Sequence, residues 1–393
     1  MRDSAAGQAS MAVQTEILPP PDPIETGAQG AAAQPSRARG ESAHRIQLDG
    51  IRALAVLAVM AQHFDPGIGQ WIDLGAVGVR VFFVLSGFLI TGILLGARSS
   101  AEIDGSSKWH VLRNFYARRF LRIFPIYYLV ILLAWTVHIR SMRQSVGWHL
   151  AYLSNIYFFH RGIENYSVTH FWTLAVEEQF YLVWPLLILF LPRKWLLGTV
   201  ISAICIGPLF RAAVVIGGGN NVQTIMLMPE CLDTLGMGAL LATLNFLGMQ
   251  RIKQRFLGAA LVIGAASYFA LAVITHFRNV PVWNIPFGLA VALWGVWLID
   301  GAYTGFRGLF GRILSFKPAV YLGTISYGVY LIHNFIPVLV NRTLGYTSEH
   351  EMPMPIRPIV MVSVTVALAS ISWFGFERPI NSLKRFFPYT RRG

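Results

Sequence analysis

The chain has 393 residues, of which 54% are hydrophobic and only 13% are charged, and its mean hydropathy is +0.52. A soluble domain carries about 25% charged residues, so this composition excludes an ordinary water-soluble globular protein and a largely disordered chain. The net charge of +13 comes from Lys and Arg residues that lie between apolar segments rather than in one patch, which argues against a nucleic-acid partner. Two cysteines exclude a disulfide framework or a Cys-based metal site, and we expect Cys205 and Cys231 to be buried structural thiols.

The N-terminal part differs from the rest of the chain. It contains Pro19-Pro20-Pro21, a run of alanines and scattered Gln, Gly and Ser, without a helical or strand period. We therefore predict a disordered cytoplasmic tail over residues 1–45. The pattern is not that of a signal peptide, because no early apolar region is followed by a cleavage site.

The following part consists of long apolar segments separated by short basic stretches. Most segments approach the ~20 residues that a helix needs to cross ~30 Å of hydrocarbon, and helices satisfy their own backbone there. We predict an all-α polytopic membrane protein with about ten transmembrane helices over residues 46–380, and a short basic cytoplasmic tail over 381–393. The predicted segments are about 50–66, 74–97, 121–138, 170–191, 196–216, 223–247, 256–276, 281–299, 319–341 and 357–376.

The basic residues orient these segments. If both termini are cytoplasmic and all ten segments span, most of the 32 Lys and Arg residues fall on the cytoplasmic side. The positive-inside rule favours this arrangement. We therefore expect a multi-pass protein of the inner (plasma) membrane, in contact with membrane lipid, with both termini cytoplasmic.

The first segment carries ionisable residues at helical spacing. Arg52 and His63 are eleven residues apart, which is about three turns, so they share a helix face, and Asp49 lies near the same stripe. If Arg52 lies at the cytoplasmic boundary, His63 lies near the bilayer midplane. A neutral imidazole there is suited to act as a general base, while the alternative is a histidine that is hydrogen-bonded inside the helix bundle.

The fourth segment contains two adjacent carboxylates, Glu177 and Glu178, about two turns inside the helix. Neighbouring residues point about 100° apart, so at most one of them faces a given cavity directly. The other is expected to pair with a cation, and Arg80 and Arg52 are both open as partners. Charges at this depth indicate a functional or electrostatic role.

A basic stretch precedes the third segment and includes Arg118, Arg119 and Arg122. Arg119 and Arg122 are three residues apart and share a helix face, and arginine pairs suit bidentate contacts with phosphates. The alternative is a topological signal that contacts lipid headgroups.

Other polar residues in the segments are weaker candidates. Ser86-Gly87 most simply lets two helices approach closely. His333 in the ninth segment is either functional or a satisfied bundle residue, and Glu230 with Asp233 opens the sixth segment. No zinc-protease, Walker-type or dinucleotide motif is present, so we expect no bound metal.

Taken together, the motifs resemble those of the membrane-bound acyltransferase-3 family, which includes bacterial O-antigen acetylases and macrolide acyltransferases. They occur in the family's order and cover roughly residues 46–380. The matching pieces are Leu48-Asp49-Gly50-Ile51-Arg52-Ala53 with His63, Phe82-Phe83-Val84-Leu85-Ser86-Gly87-Phe88-Leu89-Ile90, Arg119-Phe120-Leu121-Arg122, Phe171-Trp172-Thr173-Leu174-Ala175-Val176-Glu177-Glu178-Gln179-Phe180-Tyr181, and Ser326-Tyr327-Gly328-Val329-Tyr330-Leu331-Ile332-His333.

The resemblance implies transfer of an acyl group, most often acetyl, from cytoplasmic acyl-CoA to a hydroxyl of a carbohydrate or glycoside. No bound cofactor is expected, since acyl-CoA is the donor substrate. His63 acts either as a general base or as a transient acyl carrier. The implied roles are catalytic for His63, Arg52, Glu177 and Glu178, donor-binding for Arg119, Arg122 and Arg118, and supporting for Asp49, Ser86, Tyr181 and His333.

Two further expectations concern alternatives. The chain stops soon after the tenth segment, so we expect no C-terminal extracytoplasmic hydrolase-like domain and no two-step relay through one. The rival function is a transporter or flippase of a lipid-linked or glycosidic solute, because intramembrane Arg, Glu and His also suit proton-coupled transport. Dependence on a thioester donor separates the two functions.

Overall fold

The structure is a computed structural model, and the part of the chain that it describes is entirely helical, without β-strands. Two compact units are present, residues 1–42 and residues 43–393. Of the first unit, only the helical residues 34–42 are described, so most of the predicted tail over 1–45 lies outside the described residues. The described residues are 34–65, 67, 73–163, 166–277, 280–346, 352–354 and 356–389.

Sixteen α-helices follow one another in the described part of the chain. A π-helical turn, Trp373–Glu377, separates the last two, and a 3-10 turn, Leu383–Phe386, follows them. The helices are α1 (Gln34–Phe64), α2 (Leu74–Asp104), α3 (Lys108–Thr136), α4 (Arg140–Leu150), α5 (Ser154–Arg161), α6 (Phe171–Phe190), α7 (Arg193–Ile216), α8 (Leu232–Phe246), α9 (Gln250–Phe277), α10 (Asn284–Thr304), α11 (Gly308–Leu314), α12 (Lys317–Thr324), α13 (Ser326–Ile332), α14 (Ile336–Leu344), α15 (Ile356–Ser372) and α16 (Arg378–Ser382).

Seven described spans are long and apolar enough to cross a membrane, and α12 with α13 and α14 forms an eighth if that pair, bent by 61°, is one broken span. These spans are consistent with a polytopic membrane protein, but the predicted count of about ten transmembrane helices is not confirmed. Residues 50–64 of the first predicted segment lie in α1, where Arg52 and His63 lower the hydropathy. The segment over 223–247 contains the 15-residue α8, which is too short to span by itself.

Close packing of α2 against α8 sets the centre of the bundle. A Cβ atom on Gly87 would lie 1.9 Å from the backbone oxygen of Leu235, and one on Gly238 would lie 1.9 Å from that of Val84. The two glycines therefore let the backbones touch, as small residues do between membrane helices. The role predicted for Ser86-Gly87 in helix approach is confirmed for Gly87.

The two cysteines differ in burial. Cys231 is buried, whereas Cys205 on α7 is exposed, so the expectation of two buried thiols is wrong for Cys205. Only 22% of the apolar window of α7 is buried inside the protein. A helix that faces lipid is apolar all round, so an apolar sequence environment does not identify its inner face.

Candidate active site

A cavity of about 500 Å³ lies among α1, α2, α3, α6 and α13, within the usual size range of a small-molecule site. Nine of the eleven residues predicted from the sequence line it, and they come from four separate helices. The nine are Asp49, Arg52, Ser86, Arg118, Arg119, Arg122, Glu177, Glu178 and Tyr181. We call this space the first cavity.

On one wall, α1 contributes Asp49 and Arg52. The Arg52 guanidinium donates to the Asp49 carboxylate one turn earlier, and the two side chains are 18% and 23% exposed. Here α12 comes very close, since a Cβ atom on Gly323 would lie 1.8 Å from the Asp49 carbonyl oxygen. The predicted Asp49–Arg52 stripe is thus an ion pair whose backbone is held against a neighbouring helix.

The basic wall of the first cavity comes from α3. Arg119 and Arg122, one turn apart, both line the cavity, as their i,i+3 spacing predicts. The Arg119 guanidinium carbon lies 5.2 Å from the centre of the Tyr181 ring on α6, within the range of a cation–π contact. Arg118 also lines the cavity, and it donates to the backbone oxygen of Lys384 at 3.1 Å.

Hydroxyl groups connect the two central helices. Ser86 on α2 donates from Oγ to Oε1 of Glu177 on α6 at 2.6 Å, and the Tyr181 hydroxyl donates to Ser86 Oγ at 3.0 Å. Ser86 is therefore both donor and acceptor in a chain that ends on a carboxyl group inside the cavity. This arrangement orients Glu177 toward the basic wall.

The second carboxylate, Glu178, also lines the first cavity. Neither arginine considered from the sequence is its main partner: Arg52 pairs with Asp49, and Arg80 donates to the backbone oxygen of Ala76 at 3.2 Å. The Arg80 guanidinium carbon lies 4.6 Å from the centre of the Phe287 ring. The positive charges around the two glutamates come instead from Arg119 and Arg122 on α3.

The first cavity is also lined by two hydroxyl residues that sequence reasoning did not select, Thr173 and Tyr330. Thr173 Oγ1 donates to the backbone oxygen of His170 at 2.9 Å, and lies 2.7 Å from the Tyr330 hydroxyl. Since the threonine proton is used on the carbonyl, the Tyr330 hydroxyl donates to Thr173. Both residues belong to the motifs quoted above, and their position in those motifs, close to the candidate residues, could have identified them.

Three histidines form a row of contacting rings beyond Tyr330. The ring centres of Tyr330 and His333 are 5.4 Å apart, those of His333 and His63 are 5.0 Å apart, and those of His333 and His170 are 5.1 Å apart. His63 and His333 themselves do not line the first cavity. The structure therefore brings the two predicted histidines into contact, next to the Tyr330 ring that lines the first cavity.

Hydrogen bonds to carbonyl oxygens fix which ring nitrogen carries the proton. Nδ1 of His63 lies 2.9 Å from the Val59 oxygen, and Nδ1 of His333 lies 2.6 Å from the Tyr330 oxygen. A carbonyl only accepts, so Nδ1 is the protonated nitrogen in each neutral ring and Nε2 keeps its lone pair. For His63 this leaves Nε2 free to take a proton or attack a carbonyl carbon.

His170 is the residue of this row that the sequence analysis missed. Its Nε2 donates to the backbone oxygen of Leu331 at 2.9 Å, and its side chain is buried. Over the described residues, His, Cys, Asp and Glu side chains form no cluster of three or more that is arranged to hold a metal ion. The three rings pack against one another, and each hydrogen-bonds to a backbone oxygen.

Comparison with known proteins places these residues in a family context. Residues 45–374 match the family model Acyl_transf_3, described as an acyltransferase domain. The Staphylococcus aureus (strain NCTC 8325 / PS 47) protein "O-acetyltransferase OatA" is 28% identical over 353 residues, which cover 85% of this chain and 56% of that protein. The Listeria monocytogenes "Peptidoglycan O-acetyltransferase OatA" is 31% identical over 365 residues, which cover 85% of this chain and 55% of that protein.

A Bacillus subtilis (strain 168) relative, "Putative peptidoglycan O-acetyltransferase YrhL", is 28% identical over 371 residues, 88% of this chain and 56% of its own length. The chain thus spans about half the length of the curated relatives it matches. No solved structure matches it. The family model covers most of the chain, including α1 with His63, the α3 arginines and the α6 glutamates, and the chain therefore belongs to the membrane-bound acyltransferase-3 family.

Proposed function

We propose that this chain is an integral membrane O-acyltransferase that moves an acetyl group from cytoplasmic acetyl-CoA to a hydroxyl of a cell-envelope polysaccharide. The relatives' names make peptidoglycan the first acceptor to test. The protein lies in the inner (plasma) membrane as a multi-pass protein with both termini cytoplasmic. Residues 46–380 form the main part of the acyltransferase domain, and the described residues that follow them pack against α3.

The observation that carries this proposal is the charge of the first cavity. Four arginines from two helices, Arg52, Arg118, Arg119 and Arg122, line one space inside an apolar helix bundle. These guanidinium groups are half-buried, and arginine is well suited to pair with phosphate oxygens. A CoA thioester carries several phosphate charges and a neutral acyl-bearing arm, and the arginines offer such a donor a basic site beside apolar side chains of α2 such as Phe82 and Leu89.

The chemistry centres on His63, and two routes fit its tautomer. In the first, Nε2 takes the proton of the acceptor hydroxyl while the hydroxyl oxygen bonds to the thioester carbon, the C–S bond breaks, and the CoA sulfur leaves and takes up the proton. In the second, Nε2 itself bonds to the carbon and CoA leaves as thiolate. The acceptor oxygen then bonds to the acyl carbon, the C–N bond to Nε2 breaks, and the hydroxyl proton balances the CoA thiolate, which ends as the thiol.

The other site residues support these routes from the cavity side. Arg119 and Arg122 bind the donor with Arg118, while Arg52 and its partner Asp49 hold the adjoining wall. Glu177 and Glu178 balance the arginine charges and orient the thioester, with Ser86 and Tyr181 fixing Glu177. His333 contacts His63 directly and fixes its ring orientation.

The test is acyl transfer by membranes that contain the protein. Wild type, His63→Ala and His160→Ala are supplied with acetyl-CoA labelled in the acetyl group, and label in isolated peptidoglycan and other envelope carbohydrate is measured. His160 is an exposed histidine on α5 and serves as the matched control. We expect ester-linked label with wild type and with the control. We expect none with His63→Ala when the membranes contain the same amount of each protein.

Two results would contradict the proposal. Retained transfer by His63→Ala would reject both routes through this imidazole. Wild type that moves a labelled glycoside across the membrane without any thioester would support the transporter or flippase alternative instead.

A further inference from the structure

A second cavity of about 260 Å³ adjoins the first. Asp49, Arg52, Arg122 and Tyr327 line both spaces, so the two cavities are compartments separated by shared side chains. The function proposed above leaves this second cavity without a role. Its remaining lining residues are Gly323, Thr324, Trp373, Glu377, Asn381 and Lys384.

The π-helical turn between α15 and α16 shapes the wall of the second cavity. It spans Trp373–Glu377 and places both of its end residues on the lining. Such turns insert one extra residue into a helix and are frequent at functional sites. The Glu377 carboxylate is already engaged, since Ser372 donates to its Oε1 at 2.9 Å. Trp373 gives the cavity an aromatic wall.

The C-terminal segment that carries Lys384 is fastened to α3. Arg118 donates to the backbone oxygens of Lys384 and Phe387 at 3.1 and 3.2 Å, and its guanidinium carbon lies 4.9 Å from the centre of the Tyr389 ring. Asn114 donates to the backbone oxygen of Pro388. Lys384 is therefore held at a fixed place beside Arg122, and its ammonium group donates only to the neutral side chain of Asn381 among the contacts of the described residues.

The side chains that line the second cavity therefore carry more positive than negative charges. Asp49 is matched by Arg52, which leaves Arg122 and Lys384 facing the single carboxylate of Glu377. We infer that the second cavity binds the phosphate-bearing nucleotide end of the CoA donor, with Lys384 as a phosphate ligand together with Arg122. The acyl-bearing arm then runs past Arg52 into the first cavity.

This inference rests on the proposed function, because it assigns a second half to the same donor site. An elongated donor with charged and neutral ends needs two connected compartments of different polarity. The first cavity has apolar side chains of α2 such as Phe83 and Ile90 on its lining, and the second has the lysine and the aromatic wall. Trp373 offers a face on which a purine base stacks.

The experiment compares two thioesters, acetyl-CoA and acetyl-pantetheine, which lacks the nucleotide and its phosphates. Membranes with full-length wild type, Lys384→Met, Lys384→Arg or Lys317→Met are assayed with each donor. Lys317 is an exposed lysine at the start of α12 and is the matched control. Loss of one charge-assisted contact predicts that Lys384→Met raises the KM for acetyl-CoA about tenfold relative to the KM for acetyl-pantetheine. Lys384→Arg restores most of this preference, and Lys317→Met keeps it.

If Lys384→Met leaves the ratio of the two KM values unchanged, whether or not both values rise, the inference is overturned. Direct binding of CoA to the detergent-solubilised protein separates it from the proposed function. CoA that binds wild type about tenfold more tightly than Lys384→Met, without any acyl transfer, supports the site and rejects the acyltransferase activity. Transfer from acetyl-CoA by wild type with an unaltered KM in Lys384→Met supports the activity and rejects the site.

Discussion

The Ser86 hydroxyl joins α2 to α6 inside the first cavity, where it links the side chains of Glu177 and Tyr181. It donates to Glu177 at 2.6 Å and accepts from Tyr181 at 3.0 Å. Removing it therefore frees the Glu177 carboxyl group and leaves the Tyr181 hydroxyl without this acceptor. The free energies of these two hydrogen bonds set the expected loss of acyl-transfer activity when the Ser86 hydroxyl is removed.

A hydrogen bond to an ionised group contributes about 1.5–3 kcal/mol, and one between neutral groups about 1 kcal/mol. If Glu177 must be oriented for transfer, Ser86→Ala lowers kcat/KM for acetyl-CoA about tenfold to a hundredfold, since about 1.4 kcal/mol corresponds to a factor of ten. Tyr181→Phe acts through the same serine and lowers it less. The double variant Ser86→Ala/Tyr181→Phe is then no worse than Ser86→Ala, because the tyrosine has nothing left to orient.

Initial rates of acetyl transfer in membranes measure this cycle, with Ser315→Ala, at an exposed serine, as the control. Additive losses in the double variant would show that Ser86 and Tyr181 act independently. Full activity of Ser86→Ala would refute the reasoning that the hydroxyl orients Glu177.

Three further predictions concern stability, of which the first two are read from thermal unfolding of the detergent-solubilised protein and the third from the yield of folded protein. Arg211→Met leaves the fully buried carboxylate of Asp233 without its cation, so we expect a loss of about 3–5 kcal/mol, and the double variant with Asp233→Leu recovers part of it. Burial lowers the pKa of His149 to about 4 from 6.5, so the unfolded chain takes up a proton first as the pH falls through that window. Wild type therefore loses up to about 3 kcal/mol between pH 6.5 and 4 relative to His149→Gln, and parallel pH profiles would contradict this. Gly87→Ala places a Cβ atom 1.9 Å from a backbone oxygen of α8 and lowers the yield of folded protein, whereas Gly96→Ala, with nothing within 4 Å, does not.

Local spacing in the sequence was enough for several features. The i,i+3 pair Asp49–Arg52 forms, and Arg119 and Arg122 face one cavity, because an α-helix fixes which nearby residues share a face. The helical class and the membrane character follow equally from the long apolar segments. The count of spans did not follow, because hydropathy alone does not reveal that one apolar segment is a short helix and another is bent.

The site as a whole depends on contacts between distant parts of the chain. Glu177 rather than its neighbour meets Ser86, 91 residues away, and His63 meets His333 only once α1 and α13 are packed together. Lys384 joins Arg122 because α3 holds the C-terminal segment by its backbone oxygens. By itself the sequence determined which residues carry charge and which helix face they occupy. Only the tertiary structure decided which of them meet. Helix packing is set by steric fit at close contacts, such as that of Gly87 on α2 with the backbone of α8, and no short-range sequence pattern encodes the partner helix.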